Sequence, residues 1–185
     1  MSHIRGLHHN AYRCRDSEET RQFYEEFLEL PLAEAFEIKQ TQTGRNTSVL
    51  HSFYQMDDGS FLAFFEAPDQ PFEFKAQHDF DLHIALEVDD ATLQRMFAKG
   101  KAAGIHTRGI ANHGFVQSIY FRDPNGYVIE LTSKLPGHDK ALDRTLNNAR
   151  GKLDAWQIAI VKGDPRHYAA HPTEIPQAPG PLDND

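Results

Sequence analysis

Two histidines, His9 and His83, lie 74 positions apart, and each stands seven residues before an aspartate, Asp16 and Asp90. A carboxylate, Glu130, sits in the later apolar run Tyr127-Val128-Ile129-Glu130-Leu131. Two imidazoles and one carboxylate suit a divalent cation of the iron type, because they hold the ion and leave coordination positions open for a substrate. In a strand alternate side chains share a face, so His83 projects with Ala85 and Glu87, away from Leu82, Ile84, Leu86 and Val88. A histidine opposite such an apolar face is not filling the core. The ordinary alternative is a half-exposed strand histidine, and two at matched positions weigh against it. His8 competes with His9, but only His9 keeps the seven-residue distance to its aspartate. Glu130 stands among apolar neighbours, which is costly for a carboxylate unless it is paired or bound to a metal. Its competitor in the first half is Glu66, at the end of Phe61-Leu62-Ala63-Phe64-Phe65-Glu66.

The turn Asp123-Pro124-Asn125-Gly126 brings a further residue to Glu130. Proline fixes a negative φ, which excludes a two-residue type I′ hairpin across Pro124-Asn125. A type I turn ending in a left-handed glycine fits instead, with Pro124, Asn125 and Gly126 as the loop. Asp123 then faces Tyr127, and counting back along the ladder places Tyr120 across from Glu130. His113 lies seven residues before Tyr120, near the start of that strand.

These residues need elements to carry them, and the chain supplies one unit used twice. A strand over 4–15 is followed by a helix capped at Asp16 or Ser17, with Glu18 and Glu19 in its first turn, where the helix dipole favours anions. Phe23, Phe27 and Leu30 form its apolar stripe, and Pro31 ends it. Strands over 32–39, 47–55 and 61–66 follow. The pattern then restarts with a strand over 80–88, a helix capped by Asp90 and stopped at Gly104, and strands over 105–108, 115–121 and 127–132. The fold class is α+β: two tandem βαβββ modules, about 4–71 and 80–135, joined by the linker 72–79. Residues 139–162 read as one helix with a narrow apolar seam of Leu142, Leu146, Ala149, Leu153, Trp156 and Ile160. From Gly163 the chain is rich in proline and polar residues and reads as extended or disordered.

Composition narrows the partners. The chain has 185 residues, a formal charge of -8 and a single cysteine, Cys14. No basic stripe is present to release counterions from nucleic acid, and the charge disfavours an anionic membrane surface. No run reaches the length of a membrane span, and the start lacks the apolar stretch of a secretory signal. One cysteine cannot form a disulfide within the chain, so a reducing cytoplasm is expected.

The stretch His113, Ile119-Tyr120, Asp123-Pro124, Gly126 and Glu130, with His9 and His83 upstream, resembles the vicinal oxygen chelate superfamily. That superfamily includes glyoxalase I, fosfomycin-resistance enzymes, bleomycin-binding proteins and extradiol ring-cleaving dioxygenases. The likeness spans about residues 4–135 and is nearest in signature to the extradiol enzymes, although Ala111 departs from their pattern. It implies curved sheets around one metal cleft, with His9, His83 and Glu130 as ligands to a divalent metal. Iron(II) is the foremost candidate, and manganese, nickel and zinc accept the same donors. Tyr120 and His113 would bind and polarise the oxygens of a small aromatic, catechol-like or otherwise oxygen-chelating substrate, with His113 an acid/base candidate and Glu66 a fourth ligand or a base. Extradiol enzymes carry a histidine near the place held here by Glu66, whereas glyoxalase-like members place a metal-binding glutamate there. His9, Glu66, His83 and Glu130 therefore also resemble a glyoxalase ligand set, for a lyase or isomerase acting through an enediolate. A non-enzymatic binding protein of the bleomycin-sequestering kind is the third reading. A homo-oligomer is expected, and the superfamily builds its cleft either within one chain or across a dimer.

Overall fold

Asp16 and Asp89 each sit in extended backbone and turn a carboxylate back onto an amide three residues on, at 2.8 Å to the nitrogen of Glu19 and 2.7 Å to that of Thr92. Each starts the helix of one module. The expected cap of the second helix was Asp90, which is instead its first helical residue. The computed structural model describes residues 3–76 and 78–161. In chain order the elements are β1 (His9–Cys14), α1 (Ser17–Arg21, continued by a π-helical turn Gln22–Phe27), β2 (Leu32–Gln40), β3 (Asn46–Gln55) and β4 (Phe61–Glu66). The second set is β5 (Ile84–Glu87), α2 (Asp90–Ala102), β6 (Thr107–Asn112), β7 (Val116–Arg122) and β8 (Val128–Lys134), followed by α3 (His138–Leu142) and α4 (Ala149–Val161).

The two modules are βαβββ units with the same strand order. One four-stranded sheet runs β1-β4-β3-β2 and the other β5-β8-β7-β6. Each is mixed: the first strand of a module pairs in parallel with its fourth, and the remaining pairs are antiparallel. The first strand of each module starts later than the sequence suggests. β1 begins at His9 because its partner β4 begins opposite, at Phe61. β5 begins at Ile84 because the amides of Asp81 and Leu82 both turn back to the carbonyl of His78.

The hairpins fix the correspondence between modules. The Met56 amide bonds the Ser60 carbonyl, and the Gly59 amide returns to Met56; the Asp123 and Gly126 amides repeat this with Tyr127 and Asp123. Both glycines are left-handed, φ +82° at Gly59 and +98° at Gly126. Aligned on them, Phe61 corresponds to Val128 and Ala63 to Glu130. Glu66 then corresponds to Ser133, so the two glutamates are not counterparts.

One core serves both modules. Tyr24, Tyr54, Leu62 and Phe64 from the first join Leu93, Met96, Ile119, Phe121 and Ile129 from the second, each at most 1 % exposed. The Tyr24 hydroxyl donates to the Asp123 carboxylate at 2.9 Å, a buried bond from α1 to the β7–β8 hairpin. The linker is tied down as well: the Lys75 amide bonds the Asn125 carbonyl at 2.8 Å, and Arg122 reaches the Lys75 carbonyl at 3.2 Å.

The first compact unit ends at Lys134 and a second begins at Leu135. In the second, the single helix expected over 139–162 is two. Asp143 leaves the helix in extended backbone, and its carboxylate takes both the amide and the hydroxyl of Thr145, at 2.7 and 2.6 Å. Such local side-chain bonds compete with helix, which is why Asp143 and the asparagines after it interrupt the pattern. Leu153, Trp156 and Ile158 on α4 are about half exposed. The stretch expected to be extended, from Gly163, lies outside the described residues.

Candidate metal centre

The second sheet gathers four of the expected site residues into one row of polar contacts. The hairpin register pairs Tyr120 with Glu130 across β7 and β8, so both side chains leave the same face. Extending the β5–β8 ladder by one step sets His83 against Val128, on that face too. The side chains meet: His83 Nε2 lies 3.3 Å from Glu130 Oε2, and the Tyr120 hydroxyl donates to Glu130 Oε1 at 3.3 Å. His113 Nε2 stands 3.0 Å from the same phenol oxygen. A phenol has one proton to give. With it directed to Glu130, the His113 imidazole donates to the phenol oxygen.

Glu130 is only 7 % exposed. Burial, followed by the nearby Glu130 carboxylate, raises the Tyr120 pKa above that of a free phenol. The phenol therefore keeps its proton at neutral pH and serves as a hydrogen-bond donor.

His83 is oriented from behind. Its Nδ1 lies 2.7 Å from the backbone carbonyl of Asp79, which can only accept, so the Nδ1 carries the hydrogen. In the neutral ring the Nε2 lone pair then points at a carboxylate oxygen. Two lone pairs so close call for a proton or a cation between them. Bonds of about 2.1 Å to one cation would set neighbouring donor atoms roughly 3.0–3.4 Å apart, and the observed gap falls in that range. The donor set fits a divalent metal on this ground. The Asp79 carboxylate is in turn bonded by Arg108 of β6, whose guanidinium lies over the Tyr120 ring, 5.0 Å from its centroid. Neither Asp79 nor Arg108 carries a recognisable signal in the sequence.

His9 and Glu66 are elsewhere. His9 opens β1 beside His8, with their Nδ1 atoms 2.8 Å apart, and its ring meets Phe53 edge-on. Glu66 closes β4 opposite Cys14, whereas Phe61 at the other end is opposite His9. Glu66 is five positions on from Phe61, an odd offset, so Glu66 leaves the opposite face of the sheet from His9. Its carboxylate accepts the Ser17 amide at 2.8 Å, at the start of α1. Among the described residues, no group of three or more histidine, cysteine, aspartate and glutamate side chains is arranged to hold a metal. The first sheet has Ala63 where the second has Glu130, and Phe53 where the second has Tyr120. One residue the sequence reading missed is His51, on β3 and 6 % exposed, whose Nδ1 bonds the Phe64 carbonyl at 3.0 Å. Its period-two spacing with Phe53 was the available signal.

The chain belongs to the Glyoxalase/Bleomycin resistance protein/Dioxygenase superfamily, whose family model matches residues 6–131. Solved structures share the fold. A glyoxalase/dioxygenase from Nostoc punctiforme is 22% identical at TM-score 0.55, over 72% of this chain and 93% of its own. A glyoxylase/bleomycin resistance protein/dioxygenase domain from Frankia sp. EAN1pec is 16% identical at TM-score 0.57, over 71% and 99%. The fosfomycin resistance protein FosX from Listeria monocytogenes, solved with Mn(II) and sulfate, is 18% identical at TM-score 0.54, over 74% and 98%. No curated protein sequence matches the chain. Among the described residues no helix is long and apolar enough to cross a membrane.

Proposed function

We propose that this protein is a metal-dependent enzyme of the vicinal oxygen chelate type, acting as an extradiol-type dioxygenase on a catechol-like aromatic. The observation that carries the reading is the row His113–Tyr120–Glu130–His83, in which a carboxylate and an imidazole nitrogen converge beside a protonated phenol. His83 and Glu130 would hold the metal, and His9 would complete the set. Within one chain His9 is not grouped with the other two. On this reading the third ligand would come from a second copy, in a homodimer with two shared sites. A manganese ion in the FosX structure supports a divalent metal in this fold, with iron(II) the choice for ring cleavage.

A divalent cation held there would polarise two adjacent substrate oxygens, and iron(II) would add the electron exchange that ring cleavage by dioxygen requires. The chain's own residues do the rest. Tyr120 donates a hydrogen bond to a substrate oxygen in place of Glu130 Oε1. His113, hydrogen-bonded to that phenol, is the acid or base that moves a proton to or from the same oxygen. Burial of Glu130 limits competition from water at its carboxylate.

The test is elemental analysis of freshly purified protein followed by oxygen uptake with a panel of catechols. The reading expects a stoichiometric divalent metal and catechol-dependent oxygen consumption by the iron-loaded protein. Bound metal with no oxygen consumption on any catechol would contradict the dioxygenase assignment and leave a glyoxalase-like lyase as the better reading.

A further inference from the structure

The face of the first sheet that carries His9 is built of rings. The His9 imidazole meets Phe53 at 5.7 Å between centroids, and Phe53 meets Phe61 and Phe36 each at 6.0 Å. His51 stacks on Phe65 at 3.7 Å. Register places all of them opposite Leu62, Phe64 and Tyr54, which fill the core. Yet Phe36 is 45 % exposed, and Phe53, Phe61 and Phe65 are only half-buried. A continuous aromatic surface facing outward marks a binding surface rather than a solvated one.

The opposing half-site has the reverse character. Around Glu130 stand Tyr120, His113 and Arg108, which offer hydrogen bonds and charge. If His9 joins His83 and Glu130 on one cation, the ring-bearing face lies across that cation from the polar one. A chelating substrate must lie between them, with its oxygens toward Tyr120 and His113 and its body on the rings.

We propose that Phe36, Phe53, Phe61 and Phe65, with His51 among them, form a wall that receives the flat ring of an aromatic chelating substrate and sets the enzyme's preference for aromatic over aliphatic chelators. The proposal rests on the metal-centre reading above and adds to it the residues that choose the substrate. Ring-on-ring contact at 4.5–7 Å contributes beyond simple area burial. An aliphatic chelator, having no ring, gains none of it. The Phe64 carbonyl fixes the His51 ring in the wall through its Nδ1.

The test titrates the metal-loaded full chain with two chelating probes, 4-nitrocatechol and acetohydroxamate. Phe53→Leu keeps an apolar side chain but removes the ring, and Phe36→Ala alters an exposed rim position whose loss the fold tolerates. The expected result in either variant is a loss of about two- to tenfold in 4-nitrocatechol affinity. Acetohydroxamate affinity, metal content and dimer stability should match wild type. Unchanged catechol affinity, an equal loss for both probes, or a weakened dimer would overturn the proposal, the last by showing that the rings are a subunit contact. Metal content of the wild-type protein reports separately: no metal sinks the metal-centre reading, whereas metal with unselective variants sinks the aromatic wall alone.

Discussion

His83 takes its orientation from a backbone carbonyl, and that carbonyl belongs to a linker rather than to a strand. What keeps Asp79 in place is Arg108, which also covers the ring of Tyr120. One guanidinium thus steadies both neighbours of Glu130. Outer residues of this kind typically govern metal affinity by 10- to 100-fold. Arg108→Met should weaken divalent-metal binding by about tenfold in calorimetric titration, with the thermal midpoint nearly unchanged because the ion pair is exposed. Unaltered metal affinity would mean that His83 is held by its strand alone. This residue lay beyond reach of the sequence: Asp79 and Arg108 are 29 positions apart, and nothing in either neighbourhood marks them as partners. Tyr120 opposite Glu130, by contrast, followed from one proline, whose fixed φ settles the turn and with it the register. Glu66 misled for the converse reason. It ends a strand as an acidic residue in an apolar run, but alternation turns it to the far side from His9, and only the glycine-aligned hairpins reveal Ala63 in the corresponding place.

At the scale of elements, the two hairpins have the same hydrogen bonds and different surroundings. A Cβ on Gly126 would lie 2.6 Å from the Lys75 backbone, because the linker passes directly over the turn, whereas a Cβ on Gly59 meets nothing within 4 Å. Gly59→Ala should therefore cost only the left-handed backbone penalty, about 1–2 kcal/mol. Gly126→Ala adds displacement of the linker and should cost at least about 1 kcal/mol more. Chemical denaturation of both variants checks the order, and equal losses would show that the linker moves freely. The strands, the helices and the doubled order of elements were readable because periods of 2 and 3.6 are local properties. Strand beginnings were not, since a strand starts where its partner does. The C-terminal helix was read as continuous because its apolar spacing runs through 143–148, and the bonds by which Asp143 breaks it leave no mark on that spacing.

For the whole molecule, the modules are joined by a shared core and by charge at its edge. Arg95 and Lys99 of α2 bind Glu29, just beyond the first helix, at 2.7 and 2.9 Å, and hold its pKa down to about 2. A carboxylate depressed on folding contributes stability above its unfolded pKa, near 4.5, and loses it as pH falls toward 2. The stability difference between wild type and Glu29→Gln should shrink across that window, and shrink further with salt, since the pair is exposed. A difference independent of pH would show that the ion pair does not couple the modules. The same packing keeps each module's half-site on its own sheet: a carboxylate, an imidazole and a phenol on one, an imidazole and a wall of rings on the other. On the proposed reading neither is complete alone, and a second copy of the chain would supply to each what it lacks. The most direct measurement of this is metal content after mixing unfolded His9→Ala and Glu130→Ala chains and refolding them together. Each variant alone should bind no stoichiometric metal. In the mixture half of the dimers are mixed and each has one intact site, so about a quarter of the wild-type metal should return. If the mixture binds no more than the separate variants, or if His9→Ala alone retains full metal, the shared centre is contradicted.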